Sequence, residues 1–110
     1  MSKIYQTDGK IITGDNFPQI QIGTQLYVVD NRRSTYNKIQ KVITEGKTNP
    51  KEGVDYDIEI LKLALGEEHA KEIENMDLSV QSFNELTIYV MAAIQGEEYE
   101  KIKEASLKNQ

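Results

Sequence analysis

The apolar positions change their period along the chain, and each change marks an element. Ile20 and Ile22 alternate with Gln19 and Gln21, Gly23-Thr24-Gln25 offers a turn, and Leu26-Tyr27-Val28-Val29 is a second β-favouring run. This predicts a hairpin over 19–30. Past Asp30 the spacing becomes helical: Tyr36, Ile39 and Ile43, with Val42 beside them, predict a helix over 32–45 that stops at Gly46. A second helix is expected from Tyr56, with Ile58, Leu61 and Leu65 on one stripe, Ile60 and Ala64 widening it, and Gly66 ending it. Glu67 and Glu68 suit the positive end of a third, short helix whose inward positions are Ala70 and Ile73, with Met76 and Leu78 over its end.

Ser79 is suited to cap a fourth helix, and Ser82 with Glu85 offers a capping box one turn later. Val80, Phe83, Leu86, Val90, Met91 and Ile94 form its apolar face, and Gly96 punctuates its end. Residues 97–107 are again helical in type, with Tyr99 and Ile102 inward and Glu97 paired with Lys101 across one turn; fraying is expected beyond Leu107. Near the start, short β-prone runs flank Asp8-Gly9 and predict a further hairpin within 3–12. Gly14, Asp15, Asn16 and Pro18 break regular structure, and residues 47–55, with Pro50 and Gly53, read as a connection.

The expected fold class is therefore α+β, with one or two N-terminal β-hairpins followed by four or five short helices. A chain of 110 residues has room for one modest core, so we expect a single domain over 1–110, with 1–17 as an N-terminal elaboration, 18–105 as the core and 106–110 as a frayed tail. Hydrophobic residues at 38% and charged residues at 28% fit a globular chain and are too apolar for a fully disordered one. The absence of cysteine excludes a disulfide framework and a thiolate metal site. The first residues lack a basic flank followed by an apolar stretch, and no run approaches the ~20 apolar residues of a membrane span, so neither secretion nor membrane insertion is expected.

Charge adds an asymmetry. Residues 1–55 carry 8 basic and 6 acidic side chains, a balance of +2, whereas residues 56–110 carry 5 and 12, a balance of −7. Within 32–51, Arg32, Arg33, Lys38, Lys41, Lys47 and Lys51 are opposed only by Glu45, a local balance of +5. A basic stretch can follow nucleic-acid phosphates, but only Tyr36 is placed to stack on a base and the chain is acidic overall. The stretch reads as a solvated helix face, and no nucleic-acid partner is expected. It also predicts head-to-tail self-association, in which Arg32, Arg33, Lys38 and Lys41 of one copy meet the acidic half of the next.

Catalytic chemistry finds no constellation. His69 is the only histidine; with Glu68 and Glu72 but no second strong ligand at i+4 it makes no zinc site, and it is expected to be an exposed helical residue. Asp55, Asp57 and Glu59 imitate the start of a calcium loop, but Ile60 and Gly66 stand where that loop needs glycine and glutamate, so a charged first helical turn is the better reading. Ser34, Ser79 and Ser82 lack a nucleophile elbow, and the glycines are never grouped to cradle a phosphate. We expect no enzyme, no cofactor and no metal.

One surplus remains. Eight of the nine residues in 86–94 are apolar, more than a single buried face requires. At about 100° per residue, Phe83, Leu86, Val90 and Ile94 share one side and Ile88, Tyr89 and Ala92 the other. The second face is either covered by the rest of the chain or a docking surface for a partner's apolar helix, and Ile88, Tyr89 and Ala92 are the candidate partner-binding residues.

Two stretches carry a resemblance. One is Ile20-Gln21-Ile22-Gly23 leading through Tyr27 to Val29-Asp30 and a helix; the other runs from Ile58 to Tyr99 through Leu63-Ala64-Leu65-Gly66-Glu67-Glu68, Met76-Asp77-Leu78-Ser79 and Met91-Ala92-Ala93-Ile94-Gln95-Gly96. Over most of residues 18–105 the chain resembles the small α+β tail assembly chaperones of long-tailed bacteriophages and prophages of Gram-positive hosts. The resemblance implies a protein of the bacterial host cytoplasm, absent from the mature virion, that escorts the tape measure protein during tail morphogenesis, with the tail tube protein as a further partner. A structural virion protein of the tail or head-tail region, or a small non-enzymatic adaptor, is the alternative expectation.

Overall fold

The computed structural model describes residues 17–108, with side chains up to Ala105. The hairpin expected within 3–12 lies outside the described residues. Strands β1 (Gln19–Ile22) and β2 (Gln25–Val28) are followed by helices α1 (Arg33–Thr48), α2 (Tyr56–Leu65), α3 (Glu67–Asn75), α4 (Val80–Gln95) and α5 (Tyr99–Lys108). The architecture is α+β, a two-stranded hairpin followed by five helices. None of the described helices is long and apolar enough to cross a membrane.

The two strands are antiparallel, with Ile20 opposite Tyr27 and Ile22 opposite Gln25. Gly23 and Thr24 close the hairpin. Gly23 has φ 63°, which glycine adopts without steric cost at the first central position of a two-residue turn. The period of two then sends Ile20, Ile22 and the buried Tyr27 to the core, while Leu26 and Val28 are 55% and 47% exposed on the outer face.

A two-stranded hairpin is marginal by itself, so what fixes it matters. The Val29 amide donates to the Pro18 carbonyl at 2.9 Å, and the Asp30 amide donates to the Ala64 carbonyl of α2, also at 2.9 Å. The Asp30 carboxylate then holds the start of α1. It accepts from the Arg32 amide at 3.1 Å, from Arg32 Nε and Nη2 at 3.0 and 2.8 Å, and from the Thr35 hydroxyl at 2.8 Å. Arg32, at the N-cap, offers no side-chain acceptor, so Asp30 supplies the anion at the positive end of α1.

Buried side chains from β2, α1, α2, α3 and α4 form one cluster centred on Tyr27, Val29, Ile39, Leu61, Ala70, Ile73 and Val90, each at most 1% exposed. The α2 stripe is as expected, with Asp55 as its N-cap accepting from the Asp57 and Ile58 amides, and Gly66 ending it at φ 94°. Ala70 and Ile73 turn α3 inward, as expected. Ser79 caps α4 through a bond from the Ser82 amide at 3.1 Å; its hydroxyl also donates to Ser82 Oγ, and the Ser82–Glu85 capping box does not form because the helix starts one turn earlier. Gly96, left-handed at φ 66°, closes α4, with the Glu97 amide on the Ala92 carbonyl at 3.0 Å.

Two expectations are corrected. Gly46 does not stop α1, which runs on to Thr48. The glycine is instead where α1 meets the ring of Tyr56: a Cβ there would lie 3.1 Å from Tyr56 Cγ, and the Tyr56 hydroxyl is itself held by the Lys51 amide at 2.8 Å. His69 is half-buried rather than exposed. Its ring stands edge-on to Tyr27, centroids 5.1 Å apart, and its Nδ1 lies 3.2 Å from the Leu65 carbonyl near the end of α2.

The junction at Asp30 predicts an acid-sensitive stability. The bonded Arg32 side chain, aided by Thr35 and the Arg32 amide and opposed by burial, holds the Asp30 carboxyl at about 2, below its ordinary 3.8. A depressed pKa stabilises the fold fully above the unfolded value of about 3.9 and loses that contribution as the pH falls towards 2. In urea unfolding, Asp30→Ala should cost about 2 kcal/mol at pH 7, because the buried Thr35 hydroxyl loses its partner, and the difference from the parent protein should shrink between about pH 4 and 2.

Candidate functional site

The surplus apolar face of α4 is met by the chain itself. Helix α5 folds back so that Tyr99 stacks on Tyr89, centroids 4.3 Å apart and planes at 30°, while Lys103 Nζ lies 5.8 Å from the Tyr99 centroid. Ala92 is buried, at 6% exposure, and presents no docking surface; this corrects its assignment as a partner-binding residue. Ile88 is half-buried, and Tyr89 remains 50% exposed. Of the three residues singled out on that face, Tyr89 is the one that also borders an open groove.

That groove runs between the hairpin and α4 and has a volume of about 560 Å³. Gln19 to Ile22 of β1 form one wall, Ser82, Glu85, Leu86 and Tyr89 of α4 the other, and Leu78 closes one end. Ile20, Ile22 and Leu78 are half-buried against the core and give it an apolar floor. Sequence periodicity placed Ile20 and Ile22 in the hairpin, Leu86 on the core side of α4 and Tyr89 on its surplus face. What it could not show is that β1 and α4, far apart along the chain, leave Ile20, Ile22, Leu78 and Tyr89 only partly covered.

A second hollow, of about 300 Å³, lies among the N-terminus of α2, the end of α3 and the start of α4. Asp55, Asp57, Glu74 and Asp77 rim it, above Phe83 and the 80%-exposed Val80. Burial, reinforced by the neighbouring Asp55, pushes the Asp57 carboxyl up from its ordinary value. Among the described residues, none of these four carboxylates has a Lys or Arg nitrogen within 4.0 Å, the limit for an ion pair. Among the same residues no group of three or more His, Asp or Glu is placed to hold a metal ion.

The basic residues of α1 stand elsewhere. Arg33, Lys38 and Lys41 are exposed and have no ion-pair partner among the described residues. Arg32, grouped with them for self-association, is instead engaged within the chain by Asp30 at 2.8 Å. Lys51 faces Glu45 at 3.6 Å, and the expected Glu97–Lys101 pair forms at 3.6 Å. Tyr27, deep in the core, has its hydroxyl pKa raised by burial and further by the Glu72 carboxylate.

No family model, curated protein or solved structure matches this chain.

The α4–α5 contact sets a measurable expectation. Tyr99→Ala should lower stability by about 1 kcal/mol, the value of an aromatic stack, and should speed amide hydrogen exchange throughout α5 and over the Ala92 turn of α4.

Proposed function

We propose that this protein is a tail assembly chaperone of a long-tailed phage or prophage, a non-catalytic binder of the tape measure protein. The observation that carries this reading is the open groove between β1 and α4, with an apolar floor and a polar rim suited to a segment of another protein chain. The order of hairpin and helices agrees with the resemblance seen in Ile20 to Asp30 and in Ile58 to Tyr99. On this reading the protein acts in the host cytoplasm, shields apolar segments of the tape measure protein before the tail tube polymerises, and leaves before the virion is complete. The tail tube protein is a further candidate partner.

Tyr89 is the residue to test, being half-exposed on the groove wall. Tyr89→Glu should abolish co-elution with the co-expressed tape measure protein in size-exclusion chromatography, while its thermal unfolding shifts only by the loss of the Tyr99 stack, about 1 kcal/mol. Mass spectrometry of purified particles should find no copies of the protein. Stoichiometric copies in the particle would make it a structural virion component instead.

Self-association follows from the separated charges. The exposed Arg33, Lys38 and Lys41 of one copy face the acid-rimmed hollow of the next, a heterologous contact that can repeat. Sedimentation velocity should show assemblies at low ionic strength that dissociate as salt rises to about 0.5 M, where screening acts within a few ångströms. A monomer at every salt concentration, or an assembly indifferent to salt, would refute this contact.

A further inference from the structure

The backbone of β1 narrows what the groove can hold. In a hairpin closed by two residues, the flanking pair Ile22–Gln25 is hydrogen-bonded, and alternation makes Ile20–Tyr27 and Pro18–Val29 the next bonded pairs. The Val29 amide on the Pro18 carbonyl at 2.9 Å fits this parity. Gln19 and Gln21 therefore turn their amide and carbonyl groups away from β2, towards the open edge. Among the described residues, no backbone group bonds to them there. The same two residues line the groove opposite α4.

Of the usual defences of an open strand edge, only the shortness of β1 and the proline before it are present. Gln19 to Ile22 contain no charge and no bulge, and Pro18 blocks only the beginning. A helix laid in the groove has its own backbone groups already bonded and could not satisfy this edge; an extended segment could. The geometry points to β-strand addition: the groove receives an extended segment of a client protein as a third strand on β1, its alternate side chains apolar and turned towards Leu86 and Tyr89. Glu85 stands on the α4 wall without an ion-pair partner among the described residues, so the segment carries a lysine or arginine beside its apolar positions. β1 is 4 residues long, so at about 3.3 Å per residue the paired part of the segment is about four to six residues. This inference rests on the client-binding reading and specifies how the client is held.

The test uses the full chain and a fluorescent eight-residue peptide that alternates valine and threonine, with lysine at both ends. Binding is read by anisotropy. The peptide should bind saturably, and the same peptide N-methylated at alternate residues, which keeps the side chains but removes strand donors, should not. Gln21→Pro deletes the backbone donor that faces the groove, a change an edge strand tolerates, together with the side-chain bond from Gln21 Nε2 to the Gly23 carbonyl at 2.9 Å, and should weaken binding about tenfold or more, whereas Gln21→Ala, which loses only the side chain, should leave it within about twofold. Glu85→Lys should weaken it as well. Equal binding of the methylated peptide, or no binding of the parent peptide, would overturn strand addition, and the methylated peptide decides the matter even where Gln21→Pro does not fold. A lysine-bearing amphipathic helical peptide that binds in place of the extended one would also overturn it. Should Gln21→Pro still co-elute with the tape measure protein like the parent chain, strand addition fails while the client-binding reading stands.

Discussion

The bond from the Asp30 amide to the Ala64 carbonyl is the contact through which the hairpin becomes part of the molecule. The last four carbonyls of a helix have no partner within it, and Ala64 belongs to the last turn of α2. The strand end satisfies one of these groups, and His69 approaches the next, at Leu65. On the other side of the same residue the Asp30 carboxylate organises the first turn of α1 through Arg32 and Thr35. One residue thus sets the angle at which β2 leaves the sheet, the start of α1 and the docking onto α2. In that arrangement Tyr27 and Val29 are buried in the core.

The groove is a consequence of this placement. With the hairpin anchored through the end of β2, β1 is left as the outer strand beside α4, where nothing in the described chain pairs with its edge. Helix α4 has more apolar surface than the core can take, and α5 covers part of it by stacking Tyr99 on Tyr89. What remains is the strip from Leu86 to Tyr89 that faces β1. A strand edge and an apolar helix face at the same opening are each incompletely satisfied, and one extended segment can complete both.

Apart from Glu85, the charged patches lie outside this groove. The cations Arg33, Lys38 and Lys41 lie on α1 and the carboxylates around Val80 line a hollow to which α1 contributes no residue, and each patch carries one sign of charge, so neither is complementary to itself. Contacts between copies through these patches would be heterologous, and they leave the β1–α4 groove free for a different partner.

The hairpin and all five helices were legible in the sequence, because a period of two and a period near 3.6 are properties of local backbone geometry and need no knowledge of neighbours. Caps were legible for the same reason: Ser79, Gly66 and Gly96 act through groups a few residues away. Gly46 was misread as a stop because the reason for a glycine there is the ring of Tyr56, which only the pairing of α1 with α2 brings within reach. His69 and Arg32 looked free and are not, since Tyr27 and Asp30 meet them only once the chain is folded or turned. The apolar excess of α4 could be counted from residues alone, but not whether Ala92 or Tyr89 stays accessible. Local periodicity and capping chemistry determined the elements; the groove and the open edge of β1 exist only because distant segments were brought side by side, and the burial of Ala92 was decided by tertiary packing that no local period encodes.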